Sequence, residues 1–225
     1  MNRDPSSFMG QFGARSRGRF SYCFAPIYNN YQQPQMFLRF GDDIPHHNLK
    51  YRTPLIQGPL SRYYLDLKAI SVDEAELKIN SSVFQLREDG LGGSFINSGS
   101  RDTWLIDVAY REFERELIET MIYRYPTMEV SRRSGTLWFI QPERGVRTKF
   151  PEVTFLFANN AKFVIKPEAY MSGLKQPMSR HYLLLIFPSD KSTVLGARQQ
   201  VNHRIIYDIA NSELQFEPRN CIHNN

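Results

Sequence analysis

The tract Gly92-Gly93-Ser94-Phe95-Ile96-Asn97-Ser98-Gly99-Ser100 runs an apolar strand into a polar turn, with Gly99 placed for a tight bend. The turn presents one amide, Asn97, flanked by the hydroxyls of Ser98 and Ser100. Such groups donate and accept hydrogen bonds, but an amide has no proton to exchange near any working pH. Taken alone, the tract is the polar end of a strand. Its setting adds weight: Leu86-Arg87-Glu88-Asp89-Gly90-Leu91 precedes it, a capped helix follows, and Val194-Leu195-Gly196-Ala197-Arg198-Gln199-Gln200 comes near the chain end.

The other chemically competent residues give less. Asp102 and Asp107 lie past the turn and read as a solvated loop carboxylate and a helix cap. Cys23 and Cys221, the two cysteines, form one pair at most and build neither a disulfide framework nor a zinc site. His46, His47, His181, His203 and His223 show no metal-ligand spacing, so neither a metal nor another cofactor is expected. Arg15, Arg17 and Arg19 interleave with Gly in the manner of RNA-binding tracts, but three arginines beside a strand are too few to carry that reading, and no nucleic-acid partner is expected. Asn80-Ser81-Ser82 is a glycosylation sequon, meaningful only on a secretory route.

The elements that must position these residues are mostly strands. Phe20 to Phe24, Met36 to Phe40, Tyr63 to Val72, Val153 to Phe157, Lys162 to Ile165, Tyr182 to Phe187, Ser192 to Gly196, His203 to Asp208 and Glu213 to Phe216 are short apolar or alternating runs bounded by turn residues. Asn159-Asn160 predicts a hairpin, because Asn tolerates positive φ. From Asp107, Tyr110, Phe113, Leu117, Ile118 and Met121 recur at helical spacing while Arg111, Glu112, Glu114, Arg115 and Glu119 face away, predicting a helix to about Tyr123 capped by Asp107. Tyr125 to Lys149 reads as a long exposed loop. The fold class is therefore mainly β, a barrel-like sandwich with one main helix. With 225 residues, 41% hydrophobic and 23% charged, the chain has enough apolar surface for a core and no apolar run long enough for a membrane helix. It has no repeats, no secretory leader as written, and a net charge of +5, short of a nucleic-acid-binding signature.

These tracts together resemble the pepsin-like aspartic peptidases, in the nepenthesin-type plant branch that includes the xylanase inhibitors. Ser7-Phe8-Met9-Gly10-Gln11-Phe12 and Phe20-Ser21-Tyr22-Cys23 look like the end of that family's N-terminal lobe, and Leu38-Arg39-Phe40-Gly41-Asp42-Asp43-Ile44 like the crossing between lobes. Tyr63 to Ile79, Gly92 to Ser100, Phe150-Pro151 to Phe157, Val194 to Gln200, Tyr207-Asp208 and Leu214 to Cys221 follow in the order of its C-terminal lobe. The resemblance implies residues 1–62 as the N-terminal-lobe remnant and inter-lobe segment, and 63–221 as a single C-terminal lobe. It implies a catalyst of two carboxylates, one from an Asp-Thr/Ser-Gly loop in each lobe, sharing a proton. Here the second-lobe loop is Asn97-Ser98-Gly99-Ser100, and no Asp-Thr-Gly or Asp-Ser-Gly occurs in these 225 residues. A catalytically inactive homologue is expected; the alternatives are part of a two-lobed endopeptidase, or a binding protein like the xylanase inhibitors. The resemblance further implies a Cys23–Cys221 bridge if the compartment is oxidising, with Trp138 and Leu183 at the approximate positions of a second bridge that is lost. It implies an extracellular or secretory setting and a protein or peptide partner, with no membrane association and no oligomeric state assigned.

Overall fold

Alternating burial along short segments produces a structure built mainly from strands. The computed structural model describes residues 11, 13–26, 36–45, 49–88, 90–174 and 180–222. The sequence segment 7–10 with Phe12, and His46, His47 and His223, lie outside the described residues. In chain order the strands are β1 (Arg19–Cys23), β2 (Leu38–Phe40), β3 (Tyr51–Ile56), β4 (Tyr63–Leu65), β5 (Leu67–Val72), β6 (Ala75–Glu76), β7 (Ser94–Asn97) and β8 (Thr103–Ile106). Helix α1 (Asp107–Arg124) follows, then β9 (Glu129–Arg133), β10 (Thr136–Ile140), β11 (Val153–Phe157), β12 (Ala161–Ile165) and the one-turn helix α2 (Pro167–Tyr170). The chain closes with β13 (His181–Leu183), β14 (Ile186–Ser189), β15 (Thr193–Gly196), β16 (His203–Asp208) and β17 (Glu213–Pro218).

Three sheets assemble from these. The largest has the order β14-β8-β15-β7-β4-β3-β17-β16-β1-β2, so strands from both ends of the sequence share one continuous ladder. A second sheet is β12-β11-β5-β6 and a third β13-β10-β9. The core fills the space between them. Val153, Phe155 and Phe157 of β11 and Ala161, Phe163 and Ile165 of β12 point inward at every second position, as a half-buried hairpin requires. Asn159 and Asn160 both take positive φ in its turn, as their residue type predicts.

Helix α1 lays Ala109, Tyr110, Phe113, Leu117 and Met121 into the core. Asp107 is the first helical residue and not the cap: Ile106 takes the cap position without a side-chain bond, and Asp107 pairs with Arg111 one turn on at 2.5 Å. Glu114 is buried, against its expected outward position, because it accepts from the Tyr110 hydroxyl (3.1 Å) and pairs with Arg132 of β9. That pairing belongs to a further correction. Residues 125–149 are not a loop throughout; β9 and β10 form a hairpin there, its turn made by Ser134 and Gly135 at positive φ, and Leu137 and Phe139 enter the core. The run of arginines around the turn masks the alternation of β10. Tyr63 to Val72 divides into two strands at Asp66, and Tyr182 to Phe187 divides after Leu183, each half joining a different sheet.

Trp138 and Leu183 are direct register partners on β10 and β13. Two large apolar side chains thus face each other across the strands that the resemblance assigned to a lost bridge. The other bridge is present: Cys23 and Cys221, 198 positions apart in sequence, are joined with a Cα–Cα distance of 5.4 Å. It ties β1 to the segment after β17, and a loop of that length is worth about 5 kcal/mol in the chain-entropy account.

His203, on β16, is buried and stacked on Phe163 with ring centroids 4.1 Å apart, one ring nitrogen 3.1 Å from the Val201 carbonyl oxygen. Burial pushes its pKa down from 6.5 to about 4, with Lys166 acting in the same direction. Between those values the unfolded chain binds the proton and the folded chain does not, so stability rises with pH across this window. The His203 contribution is complete above pH 6.5 and is lost as pH falls toward 4, a change of about 3 kcal/mol. In urea unfolding at pH 7 and pH 4.5, His203→Phe, which keeps the stacked ring, is expected to show a smaller acid loss than the unmodified chain; equal losses would refute the assignment.

Candidate functional site

The polar turn sits where the largest sheet crosses over itself. β7 and β8 are the two arms of the loop that contains residues 98–102, and β15 lies between them. It runs parallel to β7, with Leu195 opposite Ile96 and Gly196 opposite Asn97, and pairs with β8 through Val194 and Trp104. The loop therefore closes over the end of β15, and the crossing is tight. A Cβ on Gly196 would lie 2.3 Å from the Asp102 carbonyl oxygen and 2.9 Å from the Thr103 nitrogen. Glycine is required here for close approach, since its φ is in the ordinary negative range.

Hydrogen bonds lock the crossing from the side of residues 196–200. The Gly196 N–H donates to Thr103 Oγ1 (3.0 Å), the Ala197 N–H to the Ser100 carbonyl (2.7 Å) and the Arg198 N–H to the Arg101 carbonyl (2.9 Å). Gln199 is fully buried; its Oε1 accepts from the Thr103 N–H (3.0 Å) and its Nε2 donates to the Ala169 carbonyl (2.8 Å). The tract from Val194 to Gln200, legible as a sequence motif, thus carries the brace of the turn.

A second support rises from the core. The Tyr22 hydroxyl donates to Gln200 Oε1 (2.6 Å) and lies 3.1 Å from the Tyr207 hydroxyl. Tyr207 stacks on Phe20 with centroids 4.3 Å apart and meets the edge of Tyr63 at 4.5 Å. Burial pushes the Tyr22 and Tyr207 hydroxyls well above the usual tyrosine range, so both keep their protons at any physiological pH. The chain from Tyr207 through Tyr22 to Gln200 braces the segment behind the turn and supplies no acid or base.

On this platform the turn itself is exposed at Asn97, Ser98 and Gly99. Asn97 Oδ1 accepts the Gly99 N–H at 2.9 Å, and the Ser100 N–H reaches back to the Asn97 carbonyl at 3.3 Å. Gly99 does not take positive φ; its hydrogen atoms matter because a Cβ would stand 3.2 Å from Asn97 Oδ1. An oxygen held by a backbone N–H at a strand end is an arrangement suited to a carboxylate as well as to an amide. With Asn97 the chemistry stops at hydrogen bonding.

Asp102 offers no free carboxylate beside the turn. It is buried, against its expected solvation, because Arg198 Nε reaches Oδ1 at 2.6 Å and Arg101 Nε reaches Oδ2 at 2.7 Å. Both oxygens are occupied by guanidinium groups, and the residue secures the base of the loop. Asn80 lies elsewhere, exposed, its Oδ1 accepting the Ser82 N–H at 3.0 Å at the start of a short 3-10 turn. Among the described residues no cluster of three or more His, Cys, Asp or Glu side chains is placed to hold a metal, and no helix is long and apolar enough to cross a membrane.

A β-sheet lobe with one main helix, closing a polar Asn-Ser-Gly turn over a Leu-Gly strand end, defines the C-terminal lobe of a pepsin-like aspartic peptidase. The chain belongs to the xylanase inhibitor C-terminal family, whose pattern it matches over residues 62–218. It is 28% identical to aspartic proteinase nepenthesin-2 of Nepenthes gracilis over 229 aligned residues, covering 98% of this chain and 49% of that protein. Nepenthesin-1 of the same plant is 26% identical, with the same coverage. Among solved structures, that of edgp superposes with a TM-score of 0.76 at 16% identity over 96% of this chain and 58% of the other. The basic 7S globulin from soybean gives a TM-score of 0.71 at 19% identity, covering 95% and 56%. The likeness to these two structures is one of fold. The chain spans about half the length of the relatives it matches.

Gly196→Ala is expected to cost about 3 kcal/mol or more, because the backbone of residues 102 and 103 must move before a methyl group fits. Gly135→Ala, in an exposed turn with open space around it but at positive φ, sets the comparison: it carries only the left-handed backbone cost of about 1–2 kcal/mol and no steric clash. Urea midpoints compare the two; a Gly196 variant no less stable than the Gly135 variant would show that the crossing is looser than described.

Proposed function

We propose that this chain is a non-catalytic aspartic-peptidase homologue that binds a protein or peptide and does not cleave it. The observation that carries the reading is Asn97: the turn is held as a carboxylate-bearing turn would be, and an amide occupies the position. The family chemistry needs two carboxylates sharing one proton, so that one activates water while the other protonates the scissile carbonyl oxygen. Asn97 accepts hydrogen bonds but neither takes up nor releases that proton, and loss of general acid–base function costs roughly 10²- to 10⁴-fold in rate. No other Asp-Ser-Gly or Asp-Thr-Gly within these 225 residues offers a second carboxylate.

In this reading residues 63–221 act as the binding lobe, and residues 1–62 are the remnant of an N-terminal lobe with the inter-lobe segment, whose strands β1, β2 and β3 join its sheet. The Cys23–Cys221 bridge favours an oxidising, secretory setting, in which Asn80 becomes a glycosylation site. A second reading draws on length: because the chain spans about half of its relatives, it is the C-terminal part of a two-lobed endopeptidase. That reading still leaves Asn97 without a proton to exchange, so the opposing lobe would work without its usual partner.

The test is acid-pH proteolysis with and without pepstatin. Neither the unmodified chain nor Asn97→Asp is expected to cleave, since the substitution restores one carboxylate where two are needed. Pepstatin-sensitive cleavage by the unmodified chain would overturn the reading. Cleavage by Asn97→Asp alone, in a symmetric dimer that brings two such turns together, would show that the amide is the main defect.

A further inference from the structure

We infer that Asn97 is a deamidation site, at which the backbone nitrogen of Ser98 displaces the side-chain ammonia and leaves an aspartyl carboxylate at position 97. Three observations carry this. Asn97 and Ser98 are both exposed, so water and hydroxide reach the dipeptide. The residue after Asn97 is serine, whose small side chain leaves its backbone nitrogen unshielded. And the Gly99 N–H donates to Asn97 Oδ1 at 2.9 Å, the atom on which negative charge develops when Cγ is attacked.

The step balances without an oxidant or reductant. Hydroxide removes the Ser98 N–H proton, the nitrogen attacks Asn97 Cγ, and the carbonyl electrons move onto Oδ1. As the intermediate collapses, the Cγ–Nδ2 bond breaks and Nδ2 departs as ammonia with a proton from water. Water then adds to the resulting succinimide. Opening at the side-chain carbonyl gives aspartate; opening at the main-chain carbonyl gives isoaspartate.

The molecule carries its own comparison in three Asn-Ser dipeptides. Asn80 shares the arrangement of Asn97, exposed and with Oδ1 accepting the Ser82 N–H at 3.0 Å. Asn211 is exposed too, but its Nδ2 donates to Asp208 Oδ2 at 3.0 Å, placing a negative charge beside the amide that must itself become negative. The attacking nitrogen is engaged as well, since the Ser212 N–H donates to the Ile209 carbonyl at 3.3 Å. The fold thus favours reaction at Asn97 and Asn80 and opposes it at Asn211. Under the function proposed above, the product at position 97 is the carboxylate that the turn is shaped to hold; the deamidation itself does not depend on that reading.

The experiment incubates the full, unglycosylated chain at mildly alkaline pH and follows tryptic peptides 79–87, 88–101 and 205–219, each of which contains one asparagine. Conversion is read by mass, with incorporation of one heavy oxygen from labelled water. The expected result is conversion at Asn97 roughly tenfold faster than at Asn211, the factor for one hydrogen bond of ordinary strength in the transition state. The same chain unfolded in urea should convert the two at similar rates. Folded-state conversion at Asn97 no faster than at Asn211, alongside normal conversion of both in urea, would overturn the inference. Proteolytic activity is assayed separately, so failure of the functional reading appears as pepstatin-sensitive cleavage and failure of this one as an unchanged mass at Asn97.

Discussion

The backbone contact between Gly196 and residues 102 and 103 is the constraint on which the rest of the site depends. It lets β15 pass between the two arms of one loop, which places the Asn97 turn above the end of a buried strand. Every other support of the turn follows from that passage. Residues 197 and 198 can reach the carbonyls of Ser100 and Arg101 only because the strand before them ends inside the loop, and Gln199 can satisfy the buried Thr103 N–H for the same reason. The polar groups at the crossing are paired with one another, so the low-dielectric setting strengthens the brace.

A consequence is that the shape of the turn is independent of what residue 97 can do chemically. The Gly99 N–H, the Ala197 N–H on the Ser100 carbonyl, and Asp102 clamped between Arg101 and Arg198 hold the loop whether an amide or a carboxylate stands at its apex. Structure and catalytic competence are thus separable here. A turn with this much internal support keeps its shape with either side chain at position 97, because the groups that hold it belong to the crossing and to the core beneath it.

The turn and its brace were legible as sequence because each uses residue types with narrow physical meaning. Gly196 cannot be replaced at a close crossing, Tyr22 and Gln200 sit in recognisable runs, and the cysteine pair admits a single partner each. The hairpin at Asn159-Asn160 was equally clear, since both residues occupy positive φ. What escaped was governed by distant pairing. Asp102 and Glu114 look like solvated carboxylates until the fold brings Arg198 and Arg132 to them from 96 and 18 positions away. The β9–β10 hairpin was hidden by arginines on its exposed positions, and Asp107 resembled a cap because charge near a helix start is favourable one residue inside it as well.

The central claim is that the turn is built to hold a carboxylate at position 97 and, with asparagine there, supplies no acid or base. Its most direct test is the titration of the residue 97 carboxyl in Asn97→Asp, followed by carbon NMR. The account predicts one transition, at or below the ordinary aspartate value, because the Gly99 N–H favours the ionised form and the neighbouring Asp102 is already paired with two guanidinium groups. A raised value, or two coupled transitions, would show a like charge facing position 97 and would contradict the account.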